Sequence, residues 1–172
     1  MEPSGGEAGR HSAKSAIRSN VLAARRDLTE DTLEASARRT TAALRPLLAQ
    51  AARVASYSPL PFEPRPPLVE GALLPVLLGD GDLDWEVEGV RRGVAAVAGV
   101  DLVIVPAVAV DRSGVRLGRG GGSYDRALAR TGAVTVALLH DGELFDALPV
   151  EPHDVRVGWV VTPSLGLVGL TA

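Results

Sequence analysis

The sequence predicts a three-layer α/β sandwich, with a mostly parallel central sheet and helices on both faces. The first observation is an order of segments. An apolar run, Leu102 to Pro106, is followed by the glycine-rich stretch Arg116-Leu-Gly-Arg-Gly-Gly-Gly-Ser-Tyr-Asp-Arg126. A helical pattern, Ala127 to Arg130, and a second apolar run, Ala133 to Leu139, come next. Strand, loop, helix and strand in that order form a right-handed crossover, which makes the strands parallel and sets the glycines at the carboxyl edge of the sheet. The second observation is a pair of helical patterns at the front of the chain. The third is size: 172 residues, 46% of them apolar, suit one domain with a sizeable core.

The elements follow in order. Residues 1–11 are polar and glycine-bearing and are expected to form a disordered leader, with 12–172 as a single domain. Ser12 caps a helix to about Asp27, with Ile17, Val21 and Leu22 near one face. Thr29 or Asp31 caps a second helix to about Gln50, in which Pro46 predicts a kink or an early end. Arg53–Tyr57 reads as a short strand, and the proline-rich Ser58–Pro67 as a loop. Ala72–Leu78 is a strand in which Pro75 argues for an edge or a bulge. Glu88–Ala98 has helical character, Glu143–Leu148 suits one or two helical turns, and Val155–Thr162 suits a last strand.

The glycine stretch carries the chemistry. Gly118, Gly120, Gly121 and Gly122 let the backbone take φ > 0 and lie against a ligand. The unpaired amides of a helix's first turn suit phosphate. Arg116, Arg119 and Arg126 add cationic forks, and Asp125 adds a hard oxygen able to hold Mg2+. The plainer alternative is a surface turn. The stretch is neither a Walker A loop, because no Gly-Lys-Ser/Thr ends it, nor a dinucleotide fingerprint, because the last glycine is misplaced.

Lys14, the only lysine, and Arg18 are four apart and stack on one side of their helix, which fits an anion between them or a solvated basic face. Glu63 in its loop fits solvation as well as a role. Trp85 fits core packing or stacking on a flat ligand. His153 beside Asp154 fits a cap as well as a metal or acid–base site.

Taken together, Asp101-Leu-Val-Ile-Val-Pro106, Arg116 to Arg126 and Pro152-His-Asp154 resemble the 5-formyltetrahydrofolate cyclo-ligase (5,10-methenyltetrahydrofolate synthetase) family, over about Lys14 to Thr162. The resemblance implies a fold of the sugar-phosphate isomerase and CoA-transferase group. It implies ATP-dependent conversion of 5-formyltetrahydrofolate to 5,10-methenyltetrahydrofolate, with release of ADP and phosphate. On the matching positions it implies that ATP is held by Lys14, Ser15, Ala16, Ile17 and Arg18, and by Arg116, Leu117, Gly118, Arg119, Gly120, Gly121, Gly122, Ser123 and Tyr124. Arg119 and Tyr124 would act on the reacting groups. Ser58, Glu63 and Trp85 would meet the folate. Asp125 and Asp154 would hold Mg2+. The segment Glu86–Val100 is shorter than its family counterpart, so the folate half reads as trimmed. A non-catalytic or altered-substrate nucleotide-binding homologue is therefore the alternative expectation.

Net charge −3 does not indicate a nucleic-acid surface, and the absence of cysteine excludes thiolate chemistry. No apolar run approaches the ~20 residues of a membrane helix, and the N-terminus does not read as a signal peptide. A cytoplasmic enzyme, monomeric or weakly dimeric, is the expectation.

Overall fold

The computed structural model describes residues 5–171. Two long helices open the chain: α1 (Gly5–Arg25) and α2 (Glu30–Gln50). Then come β1 (Val54–Ala55), β2 (Leu74–Leu77), β3 (Leu83–Val87), β4 (Val90–Arg91) and a 3-10 turn, Val94–Gly99. They are followed by β5 (Leu102–Pro106), β6 (Ala109–Asp111), β7 (Arg116–Leu117) and the short helix α3 (Ser123–Leu128). The chain closes with β8 (Val134–Leu138), β9 (Leu144–Phe145), β10 (Trp159–Thr162) and β11 (Gly166–Gly169).

The central sheet has the order β1-β5-β8-β10-β11. Its first four strands pair in parallel and β11 closes the edge antiparallel to β10. Side chains leave each strand alternately, so one strand feeds two cores. Leu102, Ile104, Val136, Leu138 and Val161 meet Leu44 of α2 on one face. Val103, Val105, Ala137, Leu139 and Val160 meet Ala127 and Leu128 of α3, Val97 of the 3-10 turn and Trp85 of β3 on the other. These are the three layers the sequence predicts. β5 and β8 are nearly continuous apolar runs because both their faces are covered.

Thr29 caps α2: its Oγ1 accepts the Thr32 N–H at 3.2 Å, and Glu30 and Asp31 sit in the positive first turn. Pro46 does not end this helix. It deprives only the Ala42 carbonyl of a donor, and Ala42 lies on the exposed side, where water serves instead. Pro75 stands on β2, the edge strand of a second sheet, β2-β3-β4, as its missing N–H requires.

Several expectations are corrected. α1 begins at Gly5, not at Ser12, so residues 5–11 of the expected leader are helical; residues 1–4 lie outside the described residues. Glu88–Ala98 is a hairpin return and a 3-10 turn rather than a helix, because Gly89 and Gly93 take φ of 77° and 88° and break the helical path. Glu143–Leu148 is extended: Leu144 pairs with Val110, and Arg25 grips Glu143 through Nε at 2.8 Å. The last expected strand starts at Trp159, and β6, β7 and β11 were not foreseen. Among the described residues no helix is long and apolar enough to cross a membrane.

Candidate active site

The glycine stretch joins β7 to α3 beyond the carboxyl end of β5, at the edge predicted for it. Gly120 (φ 113°) and Gly122 (φ 67°) take backbone angles that side chains disfavour. A β-carbon at Gly118 would come within 2.8 Å of the Arg116 guanidinium. The N–H groups of Gly120, Gly121 and Gly122 find no acceptor among the described residues. Because α3 has only six residues, its dipole adds little, and these loop amides are the main anion-directed feature.

The loop forms one wall of a cavity of about 530 Å³. Helix α1 supplies a second wall through His11, Lys14 and Arg18, spaced three and four apart on one helical face. Ser15, Ala16 and Ile17, expected at the nucleotide, do not line it: Ser15 and Ala16 are exposed, and Ile17 packs on Ala109, Val115 and Leu117. Arg18 donates from Nε to the Gly118 carbonyl at 2.7 Å and so ties α1 to the loop.

A third wall carries acids. Asp125 and Asp154 both line the cavity, and the Asp125 carboxylate accepts the N–H of Val155, next to Asp154, at 3.0 Å. Glu151 joins them and was not foreseen. The Lys14 ammonium lies 2.7 Å from Glu151 Oε2 and 2.8 Å from Asp154 Oδ2, nearly shut off from solvent. Burial alone depresses the Lys14 pKa, but the bonds from Asp154 and Glu151 outweigh it and raise it above the ordinary 10.5. The hydrogen bond from Lys14 holds Glu151 below its ordinary value. Ligand atoms of Glu151, His153 and Asp154 lie within 4.8 Å of one another. Glu151 and Asp154 are hard oxygen donors already arranged around a positive charge, and they fit Mg2+, with Asp125 on the same wall.

The four arginines of this region divide their work. Arg116 is buried beneath the loop: NH1 donates to the Pro106 carbonyl at 3.0 Å, and the guanidinium carbon lies 5.5 Å from the centre of the Tyr124 ring. Burial lowers its pKa, with Asp125 and Tyr124 opposing. Arg126, expected to meet phosphate, donates to the Gly81 carbonyl instead. Ser123 Oγ binds the same carbonyl at 2.6 Å. Arg119 donates from Nε to Glu63 Oε1 at 3.0 Å. The Tyr124 hydroxyl is buried with no partner among the described residues, and burial raises its pKa, so it stays protonated as a donor awaiting an acceptor.

The last wall is mostly apolar: Tyr57, Leu60, Pro75, Leu77 and Leu83, with Ser58 and Glu63 between them. Trp85 is absent from it. It has no exposed surface and packs among Leu83, Val97 and Val103, so the expected stacking platform is a core residue. Alternation in Leu83-Asp-Trp-Glu-Val87 carries that signal, since Trp85 shares a face with Leu83. For Glu151 the available signal was an acid three residues before Asp154; for His11 it was the position three before Lys14.

The sequence profile of the 5-formyltetrahydrofolate cyclo-ligase family matches residues 79–163. The 5-formyltetrahydrofolate cyclo-ligase of Mycolicibacterium smegmatis is 37% identical over 189 residues, covering 92% of this chain and 97% of the relative. The structure of 5,10-methenyltetrahydrofolate synthetase from Aquifex aeolicus superposes with a TM-score of 0.73 at 26% identity, covering 92% of this chain and 93% of that one. The fold is shared as well with 5,10-methenyltetrahydrofolate synthetase from Mycoplasma pneumoniae, with a TM-score of 0.75 at 21% identity over 86% and 96% of the two chains. By its sequence along almost the whole length of a relative, and by its fold, this chain belongs to the 5-formyltetrahydrofolate cyclo-ligase family.

Proposed function

We propose that the protein closes 5-formyltetrahydrofolate to 5,10-methenyltetrahydrofolate at the expense of ATP, releasing ADP and phosphate. One observation carries this beyond family membership. A single cavity joins a glycine loop with free amides, a cationic helix face and a carboxylate cluster to an apolar wall able to take a flat ring. The first three suit a metal–nucleotide and the fourth suits a pterin. The Glu86–Val100 segment, trimmed in sequence, leaves that apolar wall in place, which favours turnover over a purely nucleotide-binding homologue.

The chemistry asks for two steps. The formyl oxygen attacks the γ-phosphorus of ATP, the bond to the β,γ-bridging oxygen breaks, and ADP leaves. N10 of the same folate then attacks the activated formyl carbon. A carbon–nitrogen bond forms, phosphate leaves with the oxygen, and N10 gives up its proton. Phosphoryl transfer needs positioning and charge neutralisation more than covalent help. Amides of Gly120 to Gly122 would cradle phosphate oxygens, Lys14 and Arg18 would hold the chain from α1, and Arg119 would meet the transferring group. The buried Tyr124 hydroxyl would donate to an oxygen of the activated substrate. Arg116 acts from below by fixing the Tyr124 ring. Mg2+, held by Asp125 and Asp154 with Glu151 beside them, would neutralise phosphate charge. Ser58 and Glu63 would meet the folate.

Mixing the protein with Mg-ATP and 5-formyltetrahydrofolate should raise the absorbance of the methenyl product. Its absence, with nucleotide binding intact, would leave the nucleotide-binding homologue as the better account. A cytoplasmic enzyme, monomeric or weakly dimeric, that engages neither nucleic acid nor membrane completes the proposal.

A further inference from the structure

Glu63 and Arg119 lie 56 positions apart, on opposite sides of the cavity, and meet across it. Glu63 Oε1 accepts Arg119 Nε at 3.0 Å, and Oε2 accepts the N–H of Leu60 at 2.9 Å. The Glu63 side chain is 8% exposed and that of Arg119 44%. A carboxylate so covered needs a counter-charge or fresh donors whenever its partner leaves. Arg119 differs from the other arginines around the loop. Arg18 is spent on the Gly118 carbonyl, Arg116 on Pro106 and Tyr124, and Arg126 on Gly81. These three hold protein together, whereas among the described residues Arg119 is held only by a residue of the opposite wall.

We infer that the Glu63–Arg119 ion pair is an exchangeable latch that makes nucleotide and folate each promote the binding of the other. The inference rests on the proposed function above. Phosphate draws Arg119 away and leaves the Glu63 carboxylate without its cation. The pterin ring presents adjacent N–H donors, which suit a carboxylate stripped of a guanidinium fork. Conversely, a pterin that takes Glu63 releases Arg119 for phosphate. Either ligand alone must break the pair, and the second to arrive finds it already broken. Linkage requires the effect to be equal in both directions.

The test uses the full chain and calorimetry. The affinity for 5-formyltetrahydrofolate is measured with and without saturating Mg2+ and the β,γ-methylene analogue of ATP, which cannot transfer its phosphoryl group. The intact protein should bind folate about tenfold tighter with the analogue, within the usual range of coupling. The analogue should bind tighter by the same factor with folate present. In Arg119→Met and in Glu63→Gln the factor should fall below about twofold, and combining the two should lower it no further. Arg119→Lys, which keeps the charge, should retain part of it. If both ligands bind the intact protein independently, the latch is wrong and the proposed function stands. If neither binds, the proposed function itself fails. A tenfold coupling that survives in Arg119→Met overturns the latch as well. The intact-protein measurement decides even where a variant does not fold.

Discussion

Replacing Lys14 by methionine tests the acidic wall directly. In the protein the ammonium sits 2.7 Å from Glu151 and 2.8 Å from Asp154, with 5% of its side chain exposed. Methionine keeps the unbranched stem as far as the ε carbon and removes the ammonium. Two carboxylates then face each other across a space built for a cation. Breaking a buried ion pair by removing one partner costs about 3–5 kcal/mol. The lower end applies, because the Glu151 side chain is 19% exposed and water screens part of the repulsion. A loss of about 3 kcal/mol in a chain of this length lowers the melting temperature by about 6–12 °C. The loss should depend on conditions in two ways. Millimolar Mg2+ should restore much of it, since a divalent ion can occupy the space the ammonium leaves. Acid should restore part of it too: repulsion raises the folded-state pKa of the orphaned pair, so the variant gains on the intact protein as pH falls. The assay is thermal unfolding of both proteins with chelator, with Mg2+ and at two pH values. Equal melting temperatures in chelator at neutral pH, or a deficit in Lys14→Met that Mg2+ does not touch, would refute the reasoning.

Asp125→Asn should lower kcat by about 10²–10³-fold and should also lower the melting temperature, because the asparagine carbonyl still accepts the Val155 N–H but the buried Arg116 guanidinium, 3.8 Å away, loses its counter-charge; near-normal turnover at saturating Mg2+ would count against the assignment. Gly120→Ala should cost about 1–2 kcal/mol of backbone strain at φ 113° and weaken nucleotide binding in a calorimetric titration, whereas Gly132→Ala, on an open surface turn, should leave it unchanged. Asp111 is buried, which raises its pKa, but bonds from Ser113, Leu148 and Val115 prevail and lower it. With the folded-state pKa depressed, its contribution is complete above the ordinary carboxylate value and disappears as pH falls through the lower one. Acid unfolding of Asp111→Asn should therefore be flatter than that of the intact protein in that window.

The residues that announced this fold are those whose surroundings leave no alternative. Leu102–Val105 and residues 136–138 are covered on both faces, so burial writes an apolar run into them that survives without coordinates. The glycine loop is equally legible, because few structures require Gly118, Gly120 and Gly122 together. The cationic face of α1 follows from the helical repeat. What was missed is short or cooperative. β6 and β7 contain three and two residues, too few to show a period. Glu88–Ala98 is rich in alanine and valine, and its composition hides two glycines with positive φ. Glu151 has only a weak local signature, an acid three residues before Asp154, since its role exists only once α1 brings Lys14 across 137 positions. Trp85 was legible in the alternation of β3, which favours core packing, the first of its two readings, over stacking on a ligand.

The cations of the site are already paired within the protein, and this sets how it must work. Lys14 rests on Glu151 and Asp154, Arg119 on Glu63, and Arg18 on the Gly118 carbonyl. A triphosphate that recruits these cations adds no unopposed attraction; it exchanges one set of ionic contacts for another. The net gain is the small difference between them, as for any hydrogen bond traded against an existing one. Two consequences follow from the carboxylates left behind. On the proposed function, the acids released by Lys14 would stand beside phosphate unless a divalent ion arrived with the nucleotide, so metal and nucleotide would bind as a unit. Glu63, once released by Arg119, would need a donor from the second substrate. Charge balance alone thus favours assembly of the complete metal, nucleotide and folate complex over any partial one.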